Sequence, residues 1–415
     1  MKGRRSKIFL LGIVCPVVML GVLYLGLTCV EPAPVKTLKI GCSEALNMSW
    51  GVDIKVALEL CADMVNREGG LKVGADRYKI EMIVYDDKYN PELGRNAAER
   101  LINRDGVKAI VGPANSGPVV AMLPVTQSSG IPLFASCWTE KILDPKLKHV
   151  YALTSARSVD ALYPLIMKAK PGIKTAVVAA PDDETGHSLA DKAIKILKVQ
   201  GVKILDDFYF PRTQHDFSPL ATKVASLNPD FFAVPGFGSA AELTGIMAKA
   251  LFDSSWRGAW FVTAAPVIRD LVEICPRGEA EGLYIPLTDF SRVADPPPLA
   301  AKMRKAFEEK HGTWRNVGPY WTLPFWFFVA AVEKVDSLDP EAIDKAMVKL
   351  QIDTPIGKAR MIRRPDLNNM KYVDTMVAPA LAQVKGGKEA FVRSLSTEEA
   401  IREMEKAYGF KGQWE

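Results

Sequence analysis

The sequence predicts an α/β protein built from parallel sheets and divided into two lobes. From residue 38 onward, short β-rich runs alternate with helical patterns at spacings of about thirty residues, as in parallel sheets with crossover helices. The chain has 415 residues, more than one hydrophobic core usually serves. The alternation stops at a proline-rich stretch, 291–300, and an extended segment returns at 354–361. Segments far apart in sequence are therefore expected to complete one sheet.

Runs rich in β-branched and aromatic residues are the predicted strands. In chain order they are 38–40, 80–85, 107–111, 131–135, 175–180, 202–208, 231–234, 260–262 and 282–285.

Helices are predicted between these strands from apolar spacing and capping residues. One apolar face runs from Ile54 to Val65 and ends at a glycine pair, 69–70. Residues 90–92 combine a cap, a first-turn proline and an acid that favours the helix dipole, and 216–219 begin another helix similarly. The segment 322–334 is nearly all apolar and is predicted to be deeply buried.

The N-terminus, residues 1–35, is predicted to be a signal peptide or membrane anchor followed by a short linker. Four basic residues among the first seven precede an uncharged apolar run over 8–30, long enough to span a bilayer. Cys29 lies in a loose match to a lipoprotein cleavage site, so cleavage, lipidation and retention all stay open. Each outcome places the rest of the chain in the periplasm or another extracytoplasmic space, with the membrane as a partner if the segment is kept.

The remaining chain has no unusual charge. The leader carries four of the 53 basic residues and one of the 48 acidic residues, so the net charge falls from +5 to +2. No basic patch indicates a nucleic-acid partner. The four cysteines after the leader are too few for a disulfide scaffold, and any pairing among them stays open. They are Cys42, Cys61, Cys137 and Cys275.

Polar residues follow two predicted strands, at the edge where open parallel sheets bind ligands. Asn115 and Ser116 precede a helix, and Ser116 is either a helix cap or part of an anion site. Cys137, Trp138 and Thr139 follow the strand at 131–135. Thr139 is either a cap or a ligand group, and Trp138 either packs on a loop or forms a wall against the ligand.

The motifs that would indicate catalysis or a cofactor are incomplete. Residues 235–245 formally match a dinucleotide fingerprint, but Pro235 interrupts it and no acid follows the next strand. Acidic clusters at 85–91 and 181–186 each lie between a strand and a helix, where acids complement the helix dipole. The four histidines are scattered, and His187 lacks the partners of a catalytic triad. We therefore predict no enzyme activity, no metal and no cofactor.

Four segments in order and at suitable spacing carry a family resemblance. They are DDKYNPELGRNAAERLINRDGVKAIVGPANS, GIPLFASCWTE, HDFSPLATKVASLNPDFFAVPGFGS and AEGLYIPLT. Together they resemble the branched-chain amino acid (Leu/Ile/Val) binding protein family, which are type I periplasmic solute receptors of ABC importers. The resemblance extends over about residues 36–364.

The resemblance implies two doubly wound parallel-sheet lobes joined by a three-segment hinge, with a ligand held between the lobes. The crossings are expected near 153–158, 285–289 and 357–362. Lobe 1 would then contain 36–155 and 288–358, and lobe 2 would contain 156–287 and 359–415.

The resemblance also implies positions for the binding residues. Ser116, with Cys137 and Thr139 as a small-x-threonine group, would hold a ligand carboxylate and ammonium on one lobe. Trp50 falls at an aromatic position of the first loop. Thr185 replaces a tyrosine that precedes a glycine on the other lobe.

Three departures from the family pattern bear on the ligand and on the fold. Phe237 and Ala265 fall where a tyrosine and a glutamate clasp the amino group, and a buried ammonium without a carboxylate partner is costly. An α-amino acid ligand is therefore put in doubt, and a carboxylate with an aromatic body is expected to suit the aromatic residues of the cleft. Asn115 also stands where the family's first-lobe disulfide has a cysteine.

The predicted function is that of a monomeric solute receptor that captures a small carboxylate or amino-acid-like ligand. Its partners would be an inner-membrane ABC permease and its ATPase subunits. The alternative is a ligand-sensing protein of the same fold that acts on a signalling partner.

Overall fold

The computed structural model describes residues 36–153, 159–287, 289–315 and 317–415. The predicted leader lies outside this part of the chain, as does most of the first predicted crossing, 153–158. Among the described residues, no helix combines the length and apolarity needed to cross a bilayer.

The strands and helices alternate along the chain. The strands are β1 (Lys36–Glu44), β2 (Leu71–Val73), β3 (Asp76–Asp86), β4 (Ile110–Val111), β5 (Leu133–Ala135), β6 (Val150–Ala152), β7 (Thr175–Pro181), β8 (Lys203–Phe210), β9 (Phe231–Val234), β10 (Ala259–Val262), β11 (Tyr284–Pro286), β12 (Gln351–Thr354), β13 (Gly357–Arg364), β14 (Asn369–Val377), β15 (Ala380–Lys385) and β16 (Lys388–Ser394). The helices are α1 (Ser49–Arg67), α2 (Pro91–Arg100), α3 (Ser116–Ser129), α4 (Leu162–Ala169), α5 (Glu184–Val199), α6 (Ser218–Leu227), α7 (Ala241–Asp253), α8 (Ile268–Ile274), α9 (Pro298–His311), α10 (Leu323–Val335), α11 (Pro340–Met347) and α12 (Thr397–Tyr408).

The strands form two sheets, and each sheet with its helices is one lobe. Sheet 1 has the order β12-β13-β14-β6-β5-β4-β1-β3-β2, and sheet 2 has the order β16-β15-β11-β10-β9-β7-β8. The centre of each sheet is parallel, and antiparallel pairs lie at the edges. The prediction of a two-lobe α/β fold is confirmed.

Both faces of sheet 1 are covered, as a parallel sheet requires. Phe134 of β5 enters one apolar cluster, whereas its neighbours Leu133 and Ala135 enter another. The first cluster also contains Phe325 and Phe328 of α10, which are fully buried as predicted for this apolar helix. The near-continuous apolar character of the central strands follows from this two-sided burial.

The capping residues that predicted helix ends act as expected. The Asn90 side chain accepts a hydrogen bond from the Leu93 amide at 3.1 Å and begins α2. Gly69 and Gly70 follow α1 with φ angles of 96° and 80°, a region that favours glycine. Local chemistry therefore fixed these boundaries.

The prediction that lobe 2 begins again at residue 359 is wrong for 359–377. Strands β12 and β13 form an antiparallel hairpin, and β14 pairs in parallel with β6 through Asp374 and Ala152, so all three belong to sheet 1. The chain reaches sheet 2 only at β15, after residues 378–379. The third crossing therefore lies about twenty residues later than predicted.

A buried ion-pair cluster holds this hairpin in sheet 1. Arg364, at the end of β13, is fully buried and pairs with Asp366 at 2.8 Å and Asp374 at 3.0 Å. It also pairs with Glu140, which follows β5. A buried guanidinium needs such partners, and these partners lie on or beside sheet 1.

Candidate functional site

A cavity lies between the two lobes. Lobe 1 contributes Trp50 from the start of α1 and Trp138 from the end of β5, and lobe 2 contributes residues 263–265 after β10. The floor includes residues 377–380, where the chain passes from β14 to β15. The cavity thus lies at the carboxyl ends of strands from both sheets, as expected for an open α/β sheet.

Aromatic rings form much of the cavity wall. The Trp138 and Trp321 rings are 5.7 Å apart between centroids, and Tyr320 meets Trp321 edge to face at 5.4 Å. Gly318 permits this arrangement, because a Cβ there would lie 2.5 Å from the Trp321 ring and its φ is 68°. Trp50 packs against the cores of both lobes. The wall is suited to a flat, apolar ligand body.

Two polar atoms of this wall, Nε1 of Trp138 and the hydroxyl of Tyr320, are buried close to each other. The indole N–H points its proton to the hydroxyl oxygen, which leaves the Tyr320 O–H without an acceptor among the described residues. Burial raises the pKa of Tyr320, so its hydroxyl stays protonated and can donate. Because an unsatisfied buried donor is costly, this hydroxyl favours a ligand that supplies an acceptor.

A charged pair adjoins the cavity. Asp53 of α1 lines the cavity, and its carboxylate lies 2.8 Å from the guanidinium of Arg315, which lines a neighbouring surface groove. Burial raises the pKa of the Asp53 carboxyl to about 6, and Arg315 opposes this rise. Asp53 already has a cationic partner, and Arg315 is 41% exposed and retains further N–H donors.

A second, smaller pocket adjoins the cavity and shares Trp50, Trp138 and Trp321 with it. Its walls meet directly, because the Tyr89 hydroxyl of lobe 1 lies 3.0 Å from the Thr185 hydroxyl of lobe 2. The two lobes are therefore in contact across the cleft.

Arg212 closes the lobe 2 side of this pocket. Its guanidinium lies over the Tyr89 ring at 4.8 Å and pairs with the Asp183 carboxylate. It also donates to the Gly236 carbonyl at 3.1 Å. These partners hold the arginine in one orientation against the other lobe.

Two buried carboxyl groups lie beneath the lobe 1 wall of the second pocket. Glu44 accepts from the Ala114 amide at 2.8 Å, and Asp87 accepts from the Tyr89 amide at 2.8 Å. The Asn115 amide group donates to Asp87 at 3.2 Å. Burial raises the pKa of Asp87 to about 6 and also raises that of Glu44. These contacts position the loop that precedes α3.

Six of the nine predicted site residues line the cavity or the adjoining pocket. Trp50, Trp138 and Ala265 line the larger cavity, and Asn115, Thr185 and Phe237 join the smaller pocket. The side chain of Phe237 also packs edge to face against Phe210 and Phe217.

Ser116, Cys137 and Thr139 line neither space. The Ser116 hydroxyl accepts from the Trp138 amide at 3.3 Å. Burial raises the pKa of the Cys137 thiol to about 12, and the residue packs in the lobe 1 core. Thr139 donates to Glu184 of lobe 2 at 2.6 Å and accepts from the Lys141 amide at 3.2 Å. The Ser116 and Thr139 hydroxyls, which the family resemblance assigns to the ligand, are thus bonded to other groups of the chain.

Several residues of the site were not predicted as such. Asp53 lies inside the apolar helix α1, Arg212 lies in a loop after β8, and Trp321 lies in an aromatic-rich stretch that predicts only burial. Asp87 belongs to an acidic cluster predicted to complement a helix dipole, but its carboxylate binds Ser43 and Asn115 instead. Of these residues, only Asp87 could have been noticed in the sequence, because it lies in an acidic cluster at 85–91.

The family profile for periplasmic binding proteins matches residues 42–387. A Leu/Ile/Val-binding protein from Rhizobium johnstonii is 26% identical over 208 residues, which cover 49% of this chain and 54% of the relative. The match therefore spans about half the length of that relative.

Solved structures share the fold. A branched-chain amino acid ABC transporter protein from Thermus thermophilus with bound valine superposes with a TM-score of 0.73 at 16% identity, covering 89% of this chain and 99% of that one. A solute-binding protein of an ABC transporter from Rhodopseudomonas palustris, in complex with benzoate, gives 0.69 at 20% identity, covering 90% and 99%. The chain belongs to the periplasmic binding protein family, whose members bind solutes and are not enzymes, and it resembles the Leu/Ile/Val-binding branch.

Proposed function

We propose that this periplasmic binding protein is an extracytoplasmic receptor for a small carboxylate with a flat, apolar body, such as an aromatic acid. It would deliver this ligand to an inner-membrane ABC permease and its ATPase subunits. The observation that carries the proposal is the buried Tyr320 O–H, which has no acceptor among the described residues and is set among aromatic rings. A carboxylate supplies the acceptor that this hydroxyl lacks.

The charges of the cavity support an acid more than an amine. Phe237 and Ala265 supply no carboxylate where the family places its amino-group clasp. Asp53 lines the cavity, but its charge is balanced by Arg315. An ammonium ligand would have to compete with that guanidinium for the Asp53 carboxylate.

The solved structures show that this fold accommodates both ligand classes. One protein of the fold is in complex with benzoate and another has bound valine, so the fold alone does not choose between them. The choice rests on the aromatic wall and on the Tyr320 O–H that lacks an acceptor among the described residues.

Calorimetry and thermal melting with a matched ligand panel test this proposal. We expect benzoate or 4-hydroxybenzoate to bind and to stabilise the fold, by about 2.7 kcal/mol at a concentration about 100 times Kd. Leucine and valine, which carry an ammonium group, should give no comparable shift. Benzamide is the control, because it keeps the ring but lacks the anionic carboxylate. Tight binding of leucine together with no binding of aromatic acids would contradict the proposal.

A further inference from the structure

Helix α5 of lobe 2 lies along the segment 138–141 of lobe 1 and contacts it through one stripe. Glu184, Ser188 and Lys192 are spaced four residues apart, so they share one face of the helix. All three make polar contacts with the segment 138–141. We call these three residues and their partners in 138–141 the latch.

The first contact of the latch involves the Glu184 carboxylate. One oxygen accepts from the Thr139 hydroxyl at 2.6 Å, and the other lies 2.6 Å from the Lys141 ammonium. A carboxylate of the second lobe thus bonds the threonine that the family resemblance assigns to the ligand.

The remaining contacts converge on the backbone of Trp138. Ser188 and the Lys192 ammonium both donate to its carbonyl oxygen at 3.3 Å. Lys192 is only 5% exposed and also lies 3.3 Å from the Glu140 carboxylate. A buried ammonium needs such partners, so separating the lobes here would leave a charge poorly compensated.

The latch also determines where the aromatic wall stands. The residue whose carbonyl is held by α5 is the residue whose ring faces Trp321 across the cavity. Glu184, Ser188 and Lys192 line neither the cavity nor the adjoining pocket. They act on the ligand site through Trp138.

We propose that Glu184, Ser188 and Lys192 form a ligand-independent latch, which joins the lobes through polar contacts and positions Trp138 for the ligand. The latch rests on the proposed function and extends it. Because protein contacts join the lobes, the ligand does not need polar groups that bridge them. The ligand can then be largely apolar. The contacts of the latch lie outside the cavity and the adjoining pocket, so it can be tested separately.

Small-angle X-ray scattering of the ligand-free protein tests the latch. The Glu184→Gln/Lys192→Met double variant should show a larger radius of gyration than the unsubstituted protein, because the open fraction should rise about tenfold or more when charge-assisted contacts are lost. The matched control is Asp191→Asn/Lys198→Met, which makes the same charge changes at exposed positions of α5. The control should scatter like the unsubstituted protein.

Unchanged scattering of the latch variant would overturn the inference, as would equal expansion of the control. Thr139→Val breaks the Glu184 contact from lobe 1 and provides a second test if the double variant folds poorly. Benzoate affinity is measured in parallel and should fall about tenfold in the latch variant. If benzoate fails to bind any form, the proposed ligand class is wrong, while the scattering still decides the latch.

Discussion

The aromatic cavity and the latch lie on opposite sides of Trp138, and they differ in how their polar atoms are satisfied. In the latch, the Thr139 hydroxyl, the Trp138 carbonyl and the Lys192 ammonium all have protein partners. In the cavity, the Trp138 indole N–H has only the Tyr320 hydroxyl oxygen beside it, and the Tyr320 O–H has no acceptor in the described part of the chain. Since burying an unpaired donor is costly, a ligand gains most by binding where this hydroxyl lies.

This difference separates two tasks, joining the lobes and recognising the ligand. The family resemblance assigns the Thr139 hydroxyl to the ligand, but this hydroxyl bonds Glu184 of the other lobe. Under the proposed function, the aromatic wall near the hinge recognises the ligand instead. Substitutions that affect one region, the other or both can test this separation.

The largest effect is expected for Trp138→Ala, because this residue belongs to both regions. The ring is 6% exposed, so its removal should lower the free energy of unfolding by about 3–5 kcal/mol. It should also abolish aromatic acid binding, since it removes both a wall and a donor. Urea unfolding and calorimetry measure the two effects. Binding at the original affinity would show that the ligand lies elsewhere.

A smaller effect is expected for Tyr320→Phe, which alters only the cavity. Loss of one hydrogen bond to a charged ligand should weaken binding about tenfold. Stability should change by about 1 kcal/mol or less, because the hydroxyl removed has no acceptor among the described residues and only the Trp138 indole N–H beside its oxygen. Equilibrium binding measures the change in affinity, and thermal melting measures the change in stability.

Tyr163→Phe is the matched control for the cavity. It removes another buried hydroxyl without a partner in the described chain, but one that lies in the lobe 2 core away from the cavity. Its ligand affinity should not change. Equal weakening in both variants would contradict a direct role for the Tyr320 hydroxyl.

The smallest effect concerns Asp87, whose hydrogen bonds support the second pocket. Burial raises its pKa to about 6 from an ordinary 3.8, so the folded state binds the proton more tightly than the unfolded state. Its protonation therefore stabilises the fold at low pH, and this stabilisation is lost as the pH rises through 6. Between pH 5 and 7.5 the loss is about 1 kcal/mol.

Asp87→Asn should remove that contribution. The variant keeps a similar shape but cannot titrate, so its free energy of unfolding should change about 1 kcal/mol less between the two pH values. Urea unfolding of both proteins at pH 5 and 7.5 provides the comparison. An identical pH dependence would show that Asp87 keeps the same pKa when the chain unfolds.

Much of the fold could be predicted from local patterns. The β/α alternation gave the parallel sheets, and capping residues such as Asn90 gave helix starts. The position of the third crossing could not be predicted, because an extended segment does not indicate which sheet it joins. That choice depends on the long-range pair between β14 and β6 and on the buried partners of Arg364.

The site, like the fold, could be predicted only in part. Strand ends predicted the neighbourhood of Trp138 and Phe237, since the carboxyl ends of parallel strands converge. The hydrogen bond from Thr139 to Glu184 could not be predicted, because Glu184 is 45 residues away in sequence and lies on the other lobe. Likewise, the Asp53 and Arg315 pair joins residues more than 200 positions apart.

The late crossing after β14 has a mechanical consequence. Residues 378–379 are the whole connection between Val377 in sheet 1 and Ala380 in sheet 2, and they line the cavity floor. A ligand at this position contacts the connection between the lobes and not their outer edges. A small change in ligand thickness beside a hinge becomes a larger displacement at the outer edges of the lobes, because the displacement grows with distance from the hinge. The size of the bound molecule would therefore set the angle at which the lobes meet, and with it the surface shown to a partner.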